Sequence, residues 1–278
     1  MPRMPRAAIH SKSELDGARE SALKVVEVHR ALAEYLHEGQ TLAQIDTFVA
    51  RTLEGLGSRS CFLGYRTGRL PPFPSHACLS VNECVVHGTA AYRLDPLKVG
   101  DVLKIDIGVA YRGWIGDAAW TYVFGEPSEQ VRRLTDCGKR SIAMGIDAIR
   151  PGGQWIDWAR AVAGHVEDEC GFHLIRGLGG HGYGRKLHCP PFVSNVPPSP
   201  YSAGEWPDAH RRIEPGTLVA LEPMIAVGTG NTVPGRHKWP ILTADGSLSV
   251  HYEHDVYIAD DGPVVLTAGL NEINDVIV

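Results

Sequence analysis

No two of the six cysteines stand in a CxxC pair; Cys61, Cys78, Cys84, Cys137, Cys170 and Cys189 are scattered along the chain. The N-terminal stretch has no apolar h-region of the secretory kind. Together these absences exclude a disulfide scaffold and predict free, mostly buried thiols in a reducing compartment, hence a cytoplasmic protein. No apolar run approaches the roughly 18–20 residues of a membrane span. Basic charge is in deficit, with 27 Lys and Arg against 32 Asp and Glu and a net charge of -5, so charge argues for no nucleic-acid partner. What the chain does have is bulk: 278 residues at 44% hydrophobic content can bury a sizeable core, in one large domain or two halves. Residues 1–12, with Pro and Arg, read as a disordered leader, and 13–278 as a single domain with halves at about 13–125 and 126–278.

The stretch from Val102 to Phe124 reads as a β-hairpin. Leu103, Ile105, Ile107 and Val109 alternate with Val102, Lys104, Asp106 and Gly108, which puts Asp106 on the face opposite the apolar one. Arg112-Gly113 supplies the turn. Folding back there brings Asp117 opposite or diagonal to Asp106, at a cross-strand separation of roughly 4.5–8 Å. Carboxylates that close repel unless a proton or a cation lies between them. The hairpin alone leaves two readings open, a metal site or a solvated face with two unrelated Asp residues.

Around the hairpin the order of elements recurs. Ser13 is placed to cap a helix to about His37, and Thr41 a second one that ends at Gly55/Gly57. Ser58 to Ser75, with Gly64, Gly68 and Pro71-Pro72-Phe73-Pro74, reads as a loop, and Ala77 to Val86 as a strand. In the second half Ser128 caps a helix to about Ile149, and a second helix with Trp155, Trp158, Val162 and Val166 stops near Gly171. A Gly-rich stretch from Gly177 to Pro191, a strand from Thr217 to Ile225 and a final strand from Val250 to Ile258 follow. Gly39-Gln40-Thr41-Leu42 answers Gly152-Gly153-Gln154-Trp155, and Val99 to Asp106 answers Pro215 to Glu222 at nearly the same offset. An internal duplication predicts two halves, each a helix pair on an antiparallel sheet, related by a pseudo-twofold axis. Asp106 then has Glu222 as its twin, and the strand of Asp117 has its twin in the strand of Glu253. Chance similarity of two α/β halves is the rival reading; a carboxylate at the equivalent position twice argues against it.

Asp106, Asp117, Glu222 and Glu253 would converge at the centre. That much charge cannot be buried unpaired. Oxygen donors with a little imidazole suit hard or borderline divalent cations such as Mn, Fe, Co or Zn. His87, His181 and His188, in Gly- or Pro-flanked loops, are the candidates for the imidazole.

Five ordered segments now carry a resemblance: SVNECVVHG (80–88), KIDIGV (104–109) with Gly116-Asp117 beyond it, GGHGYGRKLHCPP (179–191), ALEPM (220–224) and HYEHD (251–255). In order and spacing the chain resembles the methionine aminopeptidases of the pita-bread metallopeptidase family, from about Ser13 onward. It is most similar to the short bacterial type I form, without the N-terminal zinc-finger extension or the type II helical insert. The resemblance implies an α+β pita-bread fold, two pseudo-symmetric halves around a central dimetal site. It assigns Asp106, Asp117, His181, Glu222 and Glu253 as ligands of two divalent metal ions, with Asp117 and Glu253 bridging, and His87 and His188 as substrate-side histidines. Metals about 3–4 Å apart would share a water and lower its pKa. Glu222 would take its proton and pass it to the leaving amine, and His87 and His188 would donate to the peptide as the tetrahedral species forms. The implied substrate is a peptide or small amide with a free N-terminal amine, and the side-chain pocket is sought at Phe62 or Cys61, Tyr65, Cys78 and Trp239. A monomer with transient association to the ribosome completes the family expectation.

Several residues depart from the family pattern without removing a ligand: Ile115 and Ala118 flank Gly116-Asp117, Thr89-Ala90 follow Gly88, and Leu187 precedes His188. His251 stands where Gln is usual and Asp255 where Thr is. Sharing a strand face with Glu253, they would either orient that ligand or form a tolerated surface swap. Three functions fit: removal of N-terminal methionine, a specialised metallohydrolase on another amine-bearing peptide or amide, and a non-catalytic binding protein. Intact ligands argue against the last.

Overall fold

The helices form where caps and apolar stripes coincide. In the computed structural model, which describes residues 8–199, 206–236 and 238–278, four helices lie in two pairs. They are α1 (Lys12–Tyr35), α2 (Leu42–Gly55), α3 (Glu129–Ala148) and α4 (Trp155–Ala163). Thr41 and Gln44 close a reciprocal capping box on α2, and Ser128 caps α3 by accepting from the N–H of Val131. The cap of α1 is Ser11, not Ser13, because the Ser11 hydroxyl accepts from the N–H of Glu14. The leader expected over residues 1–12 therefore does not extend that far. Ala8 bridges to Thr217, Ile9 is buried, and Ile9 donates its N–H to Gly216 at 2.7 Å; burying an apolar side chain offsets the cost of ordering the segment. Residues 1–7 lie outside the described residues.

The hairpin pairs along its whole length, Val102–Tyr111 against Trp114–Phe124, from Val102↔Val123 to Tyr111↔Trp114. Arg112 (φ +47°) and Gly113 (φ +82°) make a two-residue turn with both central residues left-handed, the form that matches strand twist. Asp106 faces Ala119 and Asp117 faces Gly108, so the two aspartates are diagonal neighbours. The C-terminal strand Val276–Ile277 adds in parallel to Trp114–Phe124. Helix α1 packs on both hairpin strands. Its approach needs Gly116, where a Cβ would sit 2.7 Å from the backbone of Ser21.

The second half builds its sheet in the order Gly262–Val265, His254–Ala259, Leu218–Leu221, Gly179–Gly182, Cys189–Ser194. Three expected strands are broken. Ala77 to Val86 divides into Cys78–Val81 and Cys84–Val86 at Asn82 (φ +52°). Val250 to Ile258 divides into Ser249–His251 and His254–Ala259, with Glu253 in the gap. Thr217 to Ile225 likewise divides into Leu218–Leu221 and Met224–Ala226, leaving Glu222 in the gap. At the last two breaks the residue that leaves the ladder, Glu253 or Glu222, lines the central cavity, while Asn82 bonds Asp101 and Val102 instead. Ser58–Ser75 is not wholly irregular, since Arg59–Ser60 pairs with Ala110 and Val109. The second helix of the second half runs on past α4 as a π-helical turn, Gly164–Glu169, before Gly171. A shared apolar core joins helices of both halves to both main sheets. No helix among the described residues is long and apolar enough to cross a membrane.

Candidate metal centre and substrate cavity

The four carboxylates meet at the seam of the two halves. His254 pairs with Leu221 and Asp255 with Ala220, so Glu253 and Glu222 stand opposite each other one step beyond the ladder. The N–H of Glu253 donates to the carbonyl of Ala119, the residue facing Asp106, at 2.9 Å. One hydrogen bond thus ties the second-half carboxylates to the hairpin. Asn195 donates to the Glu222 carbonyl at 2.9 Å and holds that turn. His181 enters from the neighbouring strand, paired with Ala220. Its Nε2 lies 3.7 Å from Asp117 Oδ2 and 3.8 Å from Glu222 Oε1.

Asp117, His181 and Glu253 offer donor atoms within 4.8 Å of one another, and so do Glu222, His251 and Glu253. Asp106 belongs to neither triad but lines the same cavity beside Asp117. Packing these charges together is costly. Two carboxylates about 5 Å apart repel by roughly 3 kcal/mol at an effective dielectric near 20. Burial accordingly raises Asp106 to about 7. Asp117 is raised well above the carboxylate range by burial, then by the charges of Asp106, Asp255 and Glu222. Burial raises Glu222 too, and burial with Asp117 and Glu222 raises Glu253. The imidazoles stay neutral: burial lowers His181 to about 3 and His251 to about 4. Oδ1 of both Asp106 and Asp117 is buried without a hydrogen-bond partner. Orphaned carboxylate oxygens beside a neutral imidazole are a donor set that a divalent cation satisfies, so these residues fit a metal centre.

His251 and Asp255 are no surface swap. Their relative exposures are 2% and 0%. His251 Nε2 lies 3.2 Å from Glu222 Oε2, without hydrogen-bond alignment, and 3.9 Å from Glu253 Oε2. Asp255 accepts the N–H of Asp117 at 2.9 Å. The Asp255 contact crosses the seam to Asp117, while His251 lies beside the two carboxylates of its own half. Strand alternation suggested only Glu253 as their neighbour; the break at Tyr252-Glu253 redirects them.

Beside the carboxylates lies a cavity of about 310 Å³. Phe62, Tyr65, Cys78 and Trp239 all line it, and so do His87 and His188. Phe73 and Leu187 complete the apolar wall. Phe73 had no periodic pattern to mark it, since it sits in the Pro-rich loop. The loop is fixed by tertiary contacts: Trp239 Nε1 donates to the Pro71 carbonyl at 3.0 Å, and the Phe73 and Trp239 rings meet edge-on at 5.1 Å. Cys61 lies against Gly108 and beside these charges, where burial first and then Asp117 raise its thiol. His87 holds φ +58°, a left-handed backbone that costs a non-glycine residue roughly 1–3 kcal/mol. Gly88 follows it because a Cβ there would meet the Leu79 carbonyl at 2.1 Å. Burial lowers His87 to about 4, leaving it neutral. His188 stands at the exposed rim, its Nδ1 hydrogen-bonded to the Tyr65 hydroxyl at 2.7 Å and its ring 4.3 Å from that of His181.

Metallopeptidase family M24 matches residues 16–260, and the chain belongs to that family. Among its relatives is the methionine aminopeptidase of Aquifex aeolicus, 34% identical over 264 residues that cover 93% of this chain and 98% of that protein. Methionine aminopeptidase 1 of Mycobacterium tuberculosis is 33% identical over 264 residues, 93% of this chain and 94% of that one. The crystal structure of methionine aminopeptidase from Thermotoga maritima superposes with a TM-score of 0.84 at 30% identity, covering 93% of this chain and 98% of that one. The architecture is thus the pita-bread fold.

Proposed function

We propose that this chain is a metallo-aminopeptidase that removes methionine from the free N-terminus of peptides in the cytoplasm. The observation that carries the reading is the junction of an apolar, aromatic-walled cavity with a buried carboxylate–imidazole centre. The family resemblance and the names of the relatives support the choice of methionine.

Asp106, Asp117, His181, Glu222 and Glu253 would hold two divalent ions. When bound, the metal supplies Lewis-acid polarisation and lowers the pKa of water. The chain's own residues do the rest. Glu222, with its proton affinity raised by burial, takes a proton from the attacking water and returns it to the leaving amine. His87 and His188 are neutral donors positioned on the cavity wall, suited to the scissile carbonyl as negative charge develops there. Tyr65 fixes the His188 ring through Nδ1, leaving Nε2 for the substrate. Phe62, Phe73, Cys78, Leu187 and Trp239 exclude water and receive an unbranched thioether side chain.

A peptide panel tests the reading. With Mn, Fe, Co or Zn supplied in turn, Met-Ala-Ser should release free methionine while Leu-Ala-Ser stays intact. Absence of release from Met-Ala-Ser with every metal would overturn it in favour of a specialised amine-bearing substrate.

A further inference from the structure

Away from the cavity, Cys137 on α3, His165 on the π-helical turn and Cys170 at its end bring their side chains together. Donor atoms of all three lie within 4.8 Å of one another. The π-turn creates the cluster. In an α-helix, residues five apart fall on different faces. Here the Cys170 N–H donates to the His165 carbonyl at 3.0 Å, and the widened turn stacks the two side chains. Single π-turns of this kind occur often at functional sites.

We infer that Cys137, His165 and Cys170 form a second metal site, distinct from the carboxylate centre and suited to zinc. Tetrahedral zinc with bonds of about 2.3 Å to sulfur and 2.0–2.1 Å to nitrogen sets the sulfur–nitrogen edge at about 3.6 Å. Cys170 Sγ lies 3.5 Å from His165 Nε2. The other ring nitrogen, His165 Nδ1, is hydrogen-bonded to Glu169 Oε2 at 2.8 Å. A carboxylate there fixes the tautomer with Nε2 free for metal and raises its basicity, the arrangement common behind zinc-bound imidazole. Two thiolates neutralise the dication, and solvent reaches the half-exposed Cys170 for a fourth position. Burial and the Cys170 thiol push the Cys137 thiol up, while Arg133 acts the other way; a dication would supply the missing positive charge. Binding displaces the thiol protons to solvent and leaves every oxidation state unchanged.

Cobalt distinguishes the two sites, because the carboxylate centre contributes no thiolate to its ligand set. The full chain, reduced with a thiol-free phosphine and loaded with Co²⁺, should show a thiolate-to-cobalt charge-transfer band. Cys170→Ser and Cys137→Ser should each lose the band, and Cys78→Ser, beside the carboxylate centre, should keep it. After zinc loading and desalting, Cys170→Ser should retain one zinc fewer per chain than the unsubstituted protein while still releasing methionine. No band in the unsubstituted chain, a band persisting in Cys170→Ser, or equal zinc in both would overturn the inference. So would a Cys137–Cys170 disulfide that forms equally fast with and without zinc. Should Cys137→Ser not fold, Cys170→Ser and His165→Gln decide the matter. The zinc count and the band are independent of peptide hydrolysis, so failure here leaves the proposed activity untouched.

Discussion

The carboxylate of Asp255 accepts the backbone N–H of Asp117 at 2.9 Å, across the seam between the two halves of the molecule. This bond fixes where the Asp117 side chain leaves its strand. Asp255 is wholly buried, and burial raises its carboxyl well above the usual range. An amide would accept the same bond without the buried charge. Asp255→Asn is therefore expected to keep kcat within a few-fold of the parent. Asp255→Ala leaves the N–H without a partner, at a cost of about 1–3 kcal/mol in urea denaturation, and should lower kcat through misplacement of Asp117. Unchanged stability and turnover in the alanine variant would remove the positioning role.

Tyr65 and His188 offer a second test. Loss of one neutral hydrogen bond is worth about 1 kcal/mol, or roughly fivefold in rate. Tyr65→Phe keeps the ring against the cavity and removes only the hydroxyl held at 2.7 Å from Nδ1. Steady-state kinetics on a methionyl peptide should show the loss mainly in kcat, with KM little changed. A pure KM effect would mean that Tyr65 only shapes the pocket.

Protons and metal compete for the same oxygens. Burial pushes the Asp106 carboxyl up to about 7, against 3.8 for the ordinary side chain. A carboxyl raised on folding favours the folded state fully below about pH 4 and loses that contribution as pH rises through 7. The neutral imidazoles run the other way. His181, held near 3, and His251, held near 4, contribute above 6.5 and lose it as pH falls towards those values. Between pH 5 and 7 the imidazoles bind no proton, so the carboxylates set the metal's pH dependence. Metal binding should release protons, and the rise in Tm on adding Mn²⁺ to chelated protein should grow from about pH 5 to about pH 7. A metal-induced shift in Tm that does not vary across this interval would contradict the electrostatics.

The hairpin, the caps of α2 and α3, the duplication and the carboxylates were all legible in the sequence, because each rests on a local pattern: alternation, a capping hydroxyl, a repeated Gly-x-x-φ-x-φ run ending in an acid. The interruptions were not. Glu222 and Glu253 sit in gaps in strands that periodicity reads as continuous. Phe73 enters the cavity from a Pro-rich loop held by a bond from Trp239, far away in the chain. His251 looked like a neighbour of Glu253 and proves closest to Glu222, a contact made only when the two broken strands assemble. The π-turn that gathers His165 and Cys170 leaves no signature in residue spacing, since an α-helix through the same residues fits the apolar stripe as well.

Asp117 offers the sharpest test of whether the buried carboxylates hold metal for peptide hydrolysis. Asp117→Asn preserves volume and relieves the charge that burial disfavours, so the fold should persist with an unchanged or higher Tm. Metal content and methionine release from Met-Ala-Ser should be measured together on this variant and its parent. Bound metal and turnover should both be lost, turnover by about 100-fold or more as for a lost metal or acid–base contribution, in a chain that melts normally. Full methionine release by Asp117→Asn would contradict that role for the carboxylates.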